Sequence, residues 1–128
     1  PTRFPSAKQI IQGSAEEVVE KLETDLNTVA LLMTHNFEYE VKVLEQLLPF
    51  SLPYIGILGP KKKSQKLFER LENQGVNVNQ EHIYGPVGLN IGAEGAEEIA
   101  LSILAEIKTV LKQKEPYSLR DKEGSIHD

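Results

Sequence analysis

Two short uncharged runs, Thr28-Val-Ala-Leu-Leu-Met33 and Pro53-Tyr-Ile-Gly-Ile-Leu58, constrain this chain more than any other feature. Both are too short for a buried helix. Their near-continuous apolar character is that of a parallel strand covered on both faces. A segment of helical periodicity follows each one. Val41, Leu44, Leu47 and Leu48 recur at helical spacing over 38–48, and Leu67, Phe68 and Leu71 do so over 61–74, with Gly75 as the C-cap. Upstream, 8–12 is a short strand candidate, and Ser14-Ala-Glu-Glu17 is a capping box opening a helix. Downstream, His82-Ile-Tyr84 is another short strand, and a last helix spans 96–113. Strand and helix thus alternate four times. That order predicts an α/β domain with a parallel sheet, right-handed crossovers and flanking helices.

The totals narrow the function classes. With 128 residues, the chain amounts to one domain or less. Its net charge of −5 argues against a nucleic-acid surface. No run reaches the roughly 18 to 20 apolar residues of a membrane span, so no membrane partner is expected. There is no cysteine, which excludes disulfides and thiolate chemistry within the chain and fits a reducing, cytoplasmic setting. His35, His82 and His127 are too scattered to predict a metal site.

The stretch 86–107 joins a glycine-punctuated segment to the longest helical pattern. Gly88, Gly92 and Gly95 mark sharp turns or close backbone approach, and Glu97 and Glu98 fall in the helix's first turn, where they complement the positive end of its dipole. On the helix, Ile99, Ile103, Ile107, Val110 and Leu111 share one face, and Glu106 falls among them. A carboxylate there must be bonded. Two readings stand: it ties down amides of 88–92, or it faces a ligand. No G-x-G-x-x-G occurs, and the first two strands of a doubly wound sheet are missing. Residues 1–113 therefore read as the C-terminal part of a Rossmann-like domain and 114–128 as a polar tail. The N-terminal half is expected upstream or on another chain.

Four ordered motifs carry a resemblance. Thr34-His-Asn with Glu40, Tyr54-Ile-Gly-Ile-Leu-Gly-Pro-Lys-Lys62, Gly88-Leu-Asn-Ile-Gly-Ala93 and Glu98-Ile-Ala-Leu-Ser-Ile-Leu-Ala-Glu106 resemble the C-terminal Rossmann-like domain of the XdhC/CoxI family. Arg3-Phe-Pro5 and the tail Gly124-Ser-Ile-His127 match as well. Asn36, Glu40 and Asn90 stand where that family more often has aspartate. The resemblance implies an accessory protein for maturation of molybdenum hydroxylases of the xanthine dehydrogenase type. Such a protein binds molybdenum cofactor (molybdopterin), aids its sulfuration and insertion, and docks on the apo-hydroxylase and on a cysteine desulfurase. A homo-oligomer is also expected. Turnover chemistry is not implied.

The candidate cofactor-binding residues are Thr34, His35, Asn36, Gly59, Lys61, Lys62, Asn90 and Gly92. The first three lie beyond a strand's carboxyl end, where α/β sheets bind ligands. His35 suits a phosphate or pterin contact; otherwise it caps the strand. Gly59-Pro60-Lys61-Lys62-Lys63-Ser64 opens a helix whose free N–H groups and ammonium groups suit a phosphate, or else form a solvated basic cluster. The alternative function is an NAD(P)-dependent oxidoreductase, whose glycine fingerprint would have to lie upstream. A third reading is that the piece completes a fold and carries half a site.

Overall fold

A computed structural model describes residues 11–22, 24, 25 and 27–123. The chain forms two compact units, Pro1–Pro86 and Val87–Asp128.

In the first unit the order is α1 (Ala15–Glu20), β1 (Val29–Leu32), α2 (Phe37–Leu47), β2 (Tyr54–Ile57), α3 (Lys61–Asn73) and β3 (Ile83–Tyr84). The three strands among the described residues form one parallel sheet in the order β1-β2-β3, Val29 opposite Tyr54 and Ile55 opposite Ile83. An α/β Rossmann-like layer is thus present, with helical crossovers between neighbouring strands. The expected strand at 8–12 lies mostly outside the described residues, as do Arg3-Phe-Pro5 and the 124–127 motif; Ile11 and Gln12 are not in a strand.

β2 is the buried centre, with all four residues inaccessible. Its apolar run behaves as a doubly covered strand should. β1 departs from that expectation: Leu32 is buried, but Leu31 is 37% exposed. Continuity of apolar residues predicts burial on two faces without showing what would cover the second. Helix rows complete the core. Val41, Leu44 and Leu47 of α2 pack with Leu67 and Leu71 of α3 around Ile55 and Ile57. Each buried side chain of this kind contributes about 1.5–3 kcal/mol through apolar burial.

The helix ends follow local chemistry. Ser14 Oγ accepts from the Glu17 N–H at 3.2 Å, and its hydroxyl meets Glu17 Oε1 at 3.1 Å. The capping box therefore closes through the hydroxyl, not the Ser14 amide. At the end of α3, the Gly75 N–H bonds Glu72 O and the Val76 N–H bonds Leu71 O, both at 3.0 Å. This is a Schellman closure with Gly75 at φ +84, one residue past the cap Gln74.

The second unit contains α4 (Gly95–Leu111) behind the loop 87–94. Ser102 is its buried residue; Ile103, Ile107, Val110 and Leu111 are half-buried, and Ile99 is exposed. Glu106 ties down the loop, since its Oε1 accepts from the Gly88 N–H at 2.8 Å. Ser102 Oγ donates to Leu89 O at 2.6 Å, and the Leu89 N–H returns a bond to Ser102 O at 3.3 Å. Gly88 is at φ +101, and a Cβ there would collide with the Ser102 side chain. The glycine is required twice, by conformation and by contact.

Candidate functional site

The site begins where β1 and β2 end. One further ladder bond, Leu58 N–H to Leu32 O at 2.9 Å, carries the pairing past the strands. The two chains then leave into the loops before α2 and α3. In open α/β sheets ligands bind outside the carboxyl ends of the strands, the edge on which these loops lie.

The loop before α2 is a folded turn. Asn36 is the N-cap of α2, its Oδ1 accepting from the Tyr39 N–H at 3.0 Å. Asparagine is well suited to that position because its side chain satisfies an otherwise unpaired amide. The Asn36 N–H donates to Thr34 Oγ1 at 3.1 Å. Between these residues His35 takes φ +60 with its side chain exposed. A left-handed conformation costs a non-glycine residue about 1–2 kcal/mol, so the flanking bonds must hold it.

Glu40 supplies the hold. It is the fourth residue of α2 and 0% exposed. Its Oε2 accepts from both the Thr34 N–H and the Thr34 hydroxyl, each at 2.8 Å. Its Oε1 lies 2.7 Å from Lys63 Nζ, whose side chain is 20% exposed. Lys63 Nζ also donates to Leu58 O at 2.9 Å. A buried carboxylate is tolerated only when its charge is matched and hydrogen-bonded; here the Lys63 ammonium matches the charge at Oε1 and Thr34 supplies the hydrogen bonds at Oε2.

Burial, the largest single influence on Glu40, pushes its carboxyl pKa up. The hydrogen bonds from Lys63 and Thr34, with the Lys63 charge, more than offset this, and the net direction is below the ordinary 4.5. A folded-state pKa below the unfolded one means stability that is complete above pH 4.5 and drains away as pH falls through the lowered value. The expected outcome is a steeper acid limb in wild type than in Glu40→Gln, measured by denaturant unfolding at a series of pH values. Glu38 is also lowered, mainly by its hydrogen bonds to Arg70 at 2.6 and 2.9 Å, but that pair is exposed and common to both proteins.

The loop before α3 presents the basic turn. Pro60 is the N-cap and makes no side-chain cap bond. Lys61 and Lys62 are exposed at the helix start, where their charges oppose the dipole. Gly59, at φ +125, leaves room for the Lys63 stem: a Cβ would lie 2.9 Å from Lys63 Cδ. Thr34, His35, Asn36 and Gly59 therefore lie in the loops that follow two adjacent strands, and Lys61 and Lys62 open the helix after the second of them. Asn90 and Gly92 belong to the second unit, in the loop before α4, and both are exposed. Gly92 has φ +73 with open space where a Cβ would point.

Sequence reasoning does not single out Lys63 and cites Glu40 only as a motif position. Helical phase marks both. Glu40 heads the row Leu44 and Leu47, and Lys63 heads the row Leu67 and Leu71, so each faces the core.

The family model for the XdhC Rossmann domain matches residues 1–107. This chain belongs to the XdhC Rossmann domain family. Within that family it is similar to a probable xanthine dehydrogenase subunit from Bacillus subtilis, 35% identical over 81% of this chain and 30% of that protein. It is also similar to the molybdenum cofactor insertion chaperone PaoD of Escherichia coli, 29% identical over 71% of this chain and 29% of that protein. Among solved structures, a xanthine dehydrogenase from Bacillus halodurans is 35% identical with a TM-score of 0.74, covering 88% of this chain and 33% of that one. The chain thus spans about a third or less of the length of these XdhC-type relatives.

Proposed function

We propose that this domain is the part of a molybdenum cofactor-handling accessory protein that holds the anionic end of the cofactor at the β1 and β2 carboxyl ends. One observation carries the reading. A Thr34–Glu40–Lys63 network centred on the buried Glu40 carboxylate holds the turn on which His35 is exposed in a left-handed conformation, and its lysine belongs to a lysine-rich helix start. Conformational cost held in place by a dedicated network is a mark of a working position. The donor set fits a phosphate-bearing pterin: α3 has an N-terminus without a side-chain cap, Lys61 and Lys62 are exposed cations, and His35 offers a ring N–H. Asn36 holds the turn by capping α2. Asn90 and Gly92, in the second unit, belong to the proposed set on the strength of the family motif alone.

The cofactor supplies the molybdenum chemistry when bound; this chain's residues bind and orient it. The similarity to a molybdenum cofactor insertion chaperone supports a role in cofactor insertion; delivery to an apo-hydroxylase and sulfuration by a cysteine desulfurase are the steps we propose around it. Calorimetric titration of the full-length protein with molybdopterin and, separately, with NADPH tests the reading. Saturable heat is expected from molybdopterin and none from NADPH. The reverse pattern would replace it with a nicotinamide-dependent oxidoreductase.

A further inference from the structure

Three consecutive lysines open α3, and they do different work. Lys61 and Lys62 are exposed, whereas Lys63 is turned inward with its side chain 20% exposed. Its ammonium group makes its contacts with the protein, reaching Leu58 O at 2.9 Å and Glu40 Oε1 at 2.7 Å. Leu58 directly follows β2 and Glu40 belongs to α2, so one nitrogen of α3 joins the end of β2 to α2. Glu40 relays that join to Thr34 through its other oxygen, and Thr34 in turn takes the Asn36 N–H. His35 lies between these two fixed residues in its left-handed conformation. Gly59 makes the reach possible, because a side chain there would press on the Lys63 stem.

We propose that Lys63 is a positioning residue: it sets His35 through Glu40 and Thr34 and does not itself touch the cofactor. This rests on the reading of the site given above. A lysine that contacts an anionic ligand and one that only shapes the pocket differ in a measurable way. Removing a contacting charge lowers both affinity and its dependence on salt, since a screened attraction is lost. Removing the positioning lysine also unmasks the Glu40 charge, so the informative change keeps the charge and alters the geometry: it preserves the affinity given by a contacting cation and lowers that given by a positioning one.

The test measures molybdopterin affinity of the full-length protein by fluorescence titration at several salt concentrations, for wild type, Lys61→Ala, Lys63→Met, Lys63→Arg and His35→Gly. The expected result is a loss of about tenfold in Lys63→Met, the scale seen when a supporting partner behind a contact residue is removed. Lys61→Ala loses affinity and slope together. Lys63→Arg keeps the charge but replaces one nitrogen by a planar fork, so it falls between wild type and Lys63→Met; it also stands in should Lys63→Met fail to fold. Wild-type or higher affinity in Lys63→Arg alongside a loss in Lys63→Met would overturn the positioning role in favour of direct charge contact. Wild-type affinity in both Lys63 variants, with His35→Gly impaired, would overturn the role of Lys63 and leave the site standing. Wild-type affinity in His35→Gly and Lys61→Ala alike would overturn the site itself, and this inference with it.

Discussion

Lys63→Met is expected to lower stability by about 3 kcal/mol, the scale observed when one partner of a buried ion pair is removed. The side chain is nearly isosteric, so little packing is lost. What remains is the Glu40 carboxylate, fully buried and dependent on Thr34 alone for its hydrogen bonds. At low pH the carboxyl protonates and the loss shrinks, because the uncompensated charge disappears. Lys63→Met/Glu40→Gln should recover much of the deficit, since an uncharged pair of similar volume carries no charge to desolvate. Urea unfolding checks both statements, as a fall in midpoint at constant m for the single variant and a partial return for the double. Equal stability of Lys63→Met and wild type would mean that the 2.7 Å contact contributes nothing to the fold.

Gly88→Ala carries the second large effect, also about 3 kcal/mol. Its φ of +101 lies where L-residues are strained, and the added Cβ would run into the Ser102 side chain. Conformational strain of about 1–2 kcal/mol and overpacking of about 1–3 kcal/mol act together. The displaced loop also pulls the Gly88 N–H from Glu106 Oε1. Ser102→Ala removes the hydroxyl from the collision, so it should destabilise the Gly88→Ala protein less than it does wild type. A thermal-melt cycle of the four proteins measures that coupling. Additive losses would show that the alanine is accommodated by the loop alone.

Much of this molecule is legible in the sequence, for reasons that differ by element. β2 and α3 follow from a doubly apolar run and a helical row ended by glycine, signals that local physics enforces. Glu106 is readable because a carboxylate among Ile99, Ile103 and Val110 must be bonded, and a glycine loop preceding the helix offers the amides. Glu40 bears the same mark beside Leu44 and Leu47. Lys63 is hidden by its neighbours: three lysines in a row look equivalent until helical phase and the missing side chain at Gly59 separate them. The left-handed His35 has no local sequence signal at all, because it is imposed by Glu40 and Lys63 from other elements. The exposure of Leu31 is equally invisible to a pattern that reports only apolar continuity.

The site reading is most directly tested by His35→Gly in the full-length protein, scored by the molybdopterin that co-purifies. Glycine relieves left-handed strain of about 1–2 kcal/mol and gives back part of it, about 0.5–1 kcal/mol, through the freer unfolded chain. The variant is therefore expected to be at least as stable as wild type. If His35 is held at cost for the cofactor, that stable protein will carry severalfold less molybdopterin than wild type. Equal cofactor content in a fully folded His35→Gly protein would contradict the account.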